Sequence, residues 1–365
     1  MPKKVPAQPD PAAPPAAPAT AAPSLSNADN RRLQMADIAR LAGVSTSTVS
    51  RALSGSKLVN QETRDRVMEL ARSLKYTINI GAQNLRLKQN RTIGVVIPAV
   101  SDAHTRQHLT DPFFLGMLGC LADALTEQGF DMLLSRVDAD QLDAAAQPYD
   151  TGRVIGVILI GQWRHHDQLN QMAARGVPIV VWGAQLPQQL YCTVGGDNVA
   201  GGLLATRHLL RQGRRRVAFL GDTAMPEAAM RYQGYCQALE EAGLAPDPAL
   251  HVPVSFLPEG GTEGVRELAR RDAAYDALFA CSDLLAMTAI NALRAQGRAV
   301  PRDVAVAGYD DIEQSTYFHP PLTTIRQPLA DAARALVATV LDLAEGRGAV
   351  SQQLPTELIV RASSV

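Results

Sequence analysis

The chain has 365 residues, 46% hydrophobic and 19% charged, an ordinary globular balance that suggests two or three folding units. No apolar run approaches the roughly 18 residues of a membrane helix, and Pro and Ala follow Lys3 and Lys4 where a secretion signal would be apolar. The net charge of −1 hides an asymmetry: between Asn30 and Arg91 twelve basic residues face four acidic ones, a net of +8, so a short basic segment adjoins an acidic body.

Residues 1–30 are rich in Pro and Ala without hydrophobic periodicity, the composition of a disordered tail. Met35 stands downstream as a second possible start. Residues 31–76 read as three short helices. Met35–Ala42 places Ile38, Leu41 and Ala42 on an apolar face, and Gly43 breaks it where the chain can take a positive φ. Ser45 is a good N-cap for a second helix reaching Leu53, and Asn60 caps a third, Gln61–Leu74, with Val67, Leu70, Ala71 and Leu74 inward. A tight glycine turn between the first two makes a helix-turn-helix unit. Residues 77–91 form a linker.

From residue 92 to 365 the texture changes. Apolar runs at Ile93–Pro98, Met132–Ser135, Val154–Ile160, Pro178–Trp182, Val217–Leu220, Ala277–Ala280 and Val304–Ala307 predict buried parallel strands. Helical stretches at Leu115–Gln128, Ala200–Gln212, Tyr232–Ala242 and Leu284–Gln296 alternate with them, and a last strand-like run spans Gln353–Val360. This is α/β architecture in two lobes, split near Gln189–Gly196, with a ligand cleft beyond the carboxyl ends of the strands.

The motif MADIARLAGVSTSTVSRAL at residues 35–53 carries Asp37, Ile38, Ala39, Ala42, Gly43, Val44, Ser45, Thr48, Val49, Ser50, Arg51 and Leu53 at fixed spacing. It resembles the DNA-binding head of the lactose/galactose repressor family of bacterial transcriptional regulators. DPFF (111–114), RYQGY (231–235), CSDLLAMTAI (281–290), VAVAGYDDI (304–312) and LTTIRQP (322–328) follow in that family's order, so the likeness spans about Leu33 to Val360. The resemblance implies a small all-α helix-turn-helix head plus an α/β, two-lobed, periplasmic-binding-protein-like effector domain with parallel sheets. Thr46, Ser47 and Arg51 match the family's base readers, and small or polar residues at the start of a recognition helix suit the major groove. Thr48 and Ser50 match phosphate contacts, while Val44, Val49 and Leu53 face the head's own core. Leu85 matches the leucine of the family's hinge helix, which wedges into the central minor groove. Gly81 departs from that helix and weakens it.

Within the cleft the resemblance implies effector contacts from Arg231, Asp310, Ser282 and Asp283, with Phe113, Phe114 and Phe256 as stacking faces and Gln327 at a lobe crossover. One of Phe113 and Phe114 is expected in the core, and Asp311 is expected to be structural. Trp163 and Trp182 follow strands and are candidates to line the cleft. Two departures stand out: Ser282 replaces an Asn common in relatives, and Gly183 an Asp. Neutral polar groups and Trp outnumber cations in these loops, which favours a neutral sugar or glucoside over a phosphorylated sugar or purine.

Chemistry other than binding finds little support. Gly195-Gly196 and Gly201-Gly202 lack phosphate-loop and dinucleotide spacing, and no G-x-S-x-G elbow is present. His165-His166-Asp167 reads as solvated surface rather than metal ligands. The four cysteines, Cys120, Cys192, Cys236 and Cys281, lie far apart, so no metal or disulfide is expected. The expected protein is a cytoplasmic, cofactor-free repressor of carbohydrate-use genes, not an enzyme. It would bind near-palindromic operator DNA as a homodimer, since no heptad tail follows Val360. The rival reading is a sugar-processing α/β enzyme fused to a DNA-binding head.

Overall fold

The computed structural model describes residues 34–53, 56, 58–74, 90–99, 101–102, 105–106 and 109–365. The expected Pro/Ala-rich tail over residues 1–30 and most of the expected 77–91 hinge, Leu85 included, lie outside them. The chain divides between Gln83 and Asn84 into two units.

The first unit holds helices α1 (Met35–Ala42), α2 (Thr46–Leu53) and α3 (Gln61–Ser73). Gly43, at φ 66°, closes α1 and returns its N–H toward the Ala39 and Arg40 carbonyls, an αL cap that a side chain would strain. The Ser45 hydroxyl accepts from the Thr48 N–H at 3.1 Å, and Asn60 Oδ1 accepts from the Thr63 N–H at 2.8 Å. Ile38, Ala39, Ala42, Val49, Ala52, Val59 and Val67 pack as the core, with Val44, Leu53, Leu70 and Leu74 partly buried around it. Leu41 departs from expectation: it is 53% exposed, because Ile38 and Ala42, one turn apart, already cover the inward stripe of so short a helix.

The second unit is built on two parallel sheets. β1 (Thr92–Ala99), β4 (Asp131–Asp138), β5 (Val157–Ile160), β6 (Ile179–Trp182), β7 (Cys192–Gly196) and β13 (Gln352–Leu354) form the first, in the order β13-β7-β6-β5-β1-β4. β8 (Val217–Leu220), β9 (His251–Val252), β10 (Ala277–Ala280) and β11 (Ala305–Ala307) form the second, ordered β11-β10-β8-β9. Both sheets are parallel throughout, with β5, β6, β8 and β10 buried along their whole length, as continuous apolar runs require. Two short antiparallel pairs complete the set: β2 (Ser101–Asp102) with β3 (Thr105–Arg106), and β12 (Thr324–Arg326) with β14 (Glu357–Ile359).

The lobe boundary is more involved than a single split. The chain leaves the first sheet after β7, builds the second lobe, and returns after β12 as the helix Leu329–Ala344, whose Ala332, Leu336 and Val340 pack against the first sheet. β13 then joins that sheet and β14 pairs with β12, so the expected single strand over Gln353–Val360 is two strands in different sheets. Thr356, in the step between them, donates its hydroxyl to the Asp197 carbonyl at 3.3 Å. Three segments therefore cross between the lobes, near Asp197, Gln327 and Thr356.

Two second-lobe helices, Asn198–Arg211 and Pro226–Glu241, cross at glycines. A Cβ on Gly202 would run into the Arg231 carbonyl, and one on Gly234 into the Val199 carbonyl. Backbone cannot swing aside as a side-chain tip can. Gly202→Ala is expected to lower stability by about 1–3 kcal/mol, read as a lower urea midpoint at unchanged m-value.

Candidate functional site

The head's exposed face follows from its buried one. Val49 and Ala52 point inward on α2, which leaves Ser47 and Arg51, one turn apart, on the opposite side with Ser50 beside them. Thr46 and Arg51 are exposed, and Ser47, Thr48 and Ser50 are partly so. The hydroxyls of Ser47 and Thr48 lie 2.7 and 2.8 Å from Ser45 Oγ, so the cap and two of the expected DNA contacts form one hydroxyl cluster. A hydroxyl both donates and accepts, so this bonding leaves capacity for a further partner.

In the body, the loops after β5, β6, β8, β10 and β11 surround a cleft open at its mouth. These are the carboxyl ends of parallel strands, the position such sheets reserve for ligands. Phe113, Phe114, Arg231, Phe256, Ser282, Asp310 and Gln327 all line it, as do Trp163 and Trp182. Phe114 is buried in the first-lobe core, whereas Phe113 packs against the cores of both lobes and meets Trp182 at 6.5 Å between ring centroids. Ser282 Oγ accepts from the Leu285 N–H at 3.3 Å, so Ser282 caps the Asp283–Ala295 helix at the cleft wall.

Arg231 is 5% exposed. Its Nε donates to Asn198 Oδ1 at 2.8 Å, one terminal nitrogen donates to the Cys281 carbonyl, and its Cζ sits 3.7 Å from the Tyr309 ring centroid. Asp310 accepts from Gln327 Nε2 at 2.7 Å and holds φ 122°, a conformation costly for any residue but glycine and characteristic of sites fixed by their surroundings. Burial pushes the Asp310 carboxyl up to about 7; Arg231 and the Gln327 bond oppose this, and the Asp111 carboxylate adds to it.

Asp283 is a correction. It is fully buried, accepts from Thr324 Oγ1 at 2.5 Å and from the Ile312 N–H at 2.9 Å, and does not line the cleft. Its carboxyl is held well above the usual range by burial and by Asp310, and it supports the Asp310 loop from beneath. Asp311 is structural, in ion pairs with Arg326 and Arg361 at 2.7 and 2.6 Å. His166 is a second correction: it is half-buried, with Nδ1 2.9 Å from the Tyr191 hydroxyl, which itself accepts from Gln162 Nε2 at 2.8 Å. Gly183 faces Gln162, whose amide oxygen a Cβ there would meet at 2.7 Å.

Two cleft carboxylates escaped the sequence reading. Asp111 caps the Pro112–Glu127 helix by accepting from the Phe113 N–H at 2.9 Å, and burial raises its carboxyl. Glu227 lies in the first turn of the Pro226–Glu241 helix, its carboxyl raised by burial against the pull of Arg231. Its signal was available: Glu227 precedes Arg231 by four residues and so shares its helix face.

A helix-turn-helix unit and a two-lobed cleft in one chain define a ligand-responsive DNA-binding protein. Residues 34–79 match the family described as bacterial regulatory proteins, lacI family, and residues 206–364 match a periplasmic binding protein-like domain. The HTH-type transcriptional regulator CelR of Thermobifida fusca is 34% identical over 91% of this chain and 98% of its own length. A solved CelR–cellobiose complex superposes with a TM-score of 0.67 over 91% of this chain and all of that one, at 34% identity. The lac repressor dimer bound to operator and the anti-inducer ONPF gives 0.80 over 92% of this chain and all of that one; at 24% identity that likeness speaks to fold. The chain belongs to the lacI family of bacterial regulatory proteins.

The raised Asp310 carboxyl has a consequence for stability. A carboxyl whose folded pKa lies above its unfolded 3.8 favours the folded state at low pH, and that contribution is lost as pH rises through about 7. Asp310→Asn is therefore expected to stabilise the ligand-free protein at both pH values, and by about 1–3 kcal/mol more at pH 8 than at pH 5. Urea unfolding at the two pH values measures the difference, and equal shifts at both would contradict it.

Proposed function

We propose that this protein is a cytoplasmic repressor of carbohydrate-use genes that releases or grips its operator according to a neutral sugar held between the lobes. The observation that carries the choice of effector is the cleft's charge. Among the described residues its lining holds three carboxylates, Asp111, Glu227 and Asp310, and one guanidinium, Arg231. A phosphorylated or carboxylated effector would meet an excess of like charge, costly where water is excluded. Sugar hydroxyls donate to carboxylates and accept from arginine, and the flat faces of Phe113, Phe256, Trp163 and Trp182 suit the apolar faces of sugar rings. The structure of a relative bound to cellobiose supports the same class.

In this reading Thr46, Ser47 and Arg51 read bases, Thr48 and Ser50 hold phosphates, and Leu85 wedges the centre of the operator. The chain acts as a homodimer, because two heads on a twofold axis read the halves of a near-palindrome. Arg231, Asp310, Gln327 and Ser282 hold the hydroxyls, and the cleft binds without turnover.

The test is selection of bound duplexes from a random DNA pool, followed by a screen of neutral sugars for a change in operator affinity. Arg51→Ala is expected to weaken the selected operator by about 5- to 100-fold, the discrimination of one bidentate base contact. Arg231→Ala is expected to bind operator as the wild type does and to show no sugar response. A full sugar response in Arg231→Ala would remove the cleft from the account.

A further inference from the structure

An ion pair that the binding chemistry leaves unused joins the two lobes next to the cleft-lining Trp163. Arg164 lies in the loop after β5 in the first lobe, and Asp222 in the loop after β8 in the second. Arg164 Nη2 donates to Asp222 Oδ2 at 2.7 Å. Asp222 is set in advance: its other oxygen accepts from the Ala224 N–H at 2.9 Å. The neighbouring residue, Trp163, lines the cleft at φ 49°, and its indole nitrogen is buried without a partner. Gly161 permits that shape, with φ 96° and the Trp163 Nε1 only 3.1 Å from where a Cβ would stand. The loop thus folds a flat aromatic ring back over the ligand space, and its next residue reaches across to the other lobe.

We propose that the Arg164–Asp222 pair is a latch that holds the lobes together and seats Trp163 over the occupant of the cleft. The inference rests on the cleft being the effector site. Arg164 and Asp222 act as positioning residues, touching no ligand themselves. Their side chains are 59% and 28% exposed, so the pair is a bias on lobe closure rather than a lock. A contact present only in the closed state multiplies the apparent affinity of any ligand that requires closure, here by about two- to fivefold. Ions screen an exposed pair, so the bias fades with salt.

The chain has two tryptophans, Trp163 and Trp182, so a full-length Trp182→Phe protein reports on Trp163 alone and serves as the reference. Acrylamide quenching of its fluorescence, without ligand, measures how well Trp163 is covered. Arg164→Gln and Asp222→Asn are each expected to raise quenching, and the double variant to raise it no further. About 1 M salt should erase the differences. Asn at 222 keeps an acceptor for the Ala224 N–H, so the turn survives. With cellobiose as probe, the single variants should release it about two- to fivefold faster. Unchanged quenching in both single variants, or effects that add and persist in high salt, would overturn the latch. Quenching that behaves as expected beside a protein that binds neither cellobiose nor other neutral sugars would leave the latch standing and sink the sugar reading.

Discussion

The body of this protein is organised around one buried cation. A guanidinium taken from water costs several kcal/mol unless its donors are met, and Arg231 is met from three directions. Asn198 takes its Nε, the carbonyl of Cys281 takes a terminal nitrogen, and the ring of Tyr309 lies against its face. Each partner belongs to a different part of the second lobe. Asn198 opens the helix that follows the first crossing segment and donates to the Gly196 carbonyl at 3.1 Å; Cys281 follows β10, and Tyr309 follows β11. The close crossing at Gly202 and Gly234 lets the Arg231 helix lie near enough for these bonds. A ligand that bonds Arg231 therefore pulls on a group already tied to the step between the lobes, a short physical route from cleft occupancy to lobe geometry.

Opposite this cation stand the carboxylates. Asp310 is held by Gln327 on the second crossing segment, and Asp283 supports its loop from below. Burial raises the carboxyls of Asp111, Glu227 and Asp310 at the cleft and that of Asp283 beneath it. Sugar hydroxyls supply donors without adding negative charge. A carboxyl raised by burial, as Asp310 is, costs the folded protein stability as pH rises, a common trade of stability for function.

Much of this was legible in the sequence for physical reasons. Parallel strands buried on both faces must be continuous apolar runs, so β1, β5, β6, β8 and β10 announced themselves, and the caps Ser45 and Asn60 marked their helices by chemistry alone. The return of the chain was not legible. Local pattern cannot tell that Gln352–Leu354 pairs with β7 while Glu357–Ile359 pairs with β12, since partner choice is set by contacts distant in sequence. In the cleft, residues at strand ends were found, but Asp283 was misplaced by its neighbour Ser282, because adjacent residues at a helix start point in different directions. Glu227 was missed because the sequence pattern starts that helix only at Tyr232, whereas it begins at Pro226. His166 looked solvated because its partner, Tyr191, lies beyond the next strand.

In the proposed function, cleft and head exchange free energy. Trp163 and Trp182 line the cleft, so intrinsic fluorescence follows sugar binding directly, and a labelled operator duplex follows the head. The decisive measurement is the sugar affinity with and without operator, beside the operator affinity with and without sugar. Linkage requires the two ratios to be equal, and the account predicts a common factor of about 5 to 150. A sugar that binds equally well to the free and the operator-bound protein would contradict it, leaving a DNA-binding head and a sugar cleft in one chain with no conversation between them.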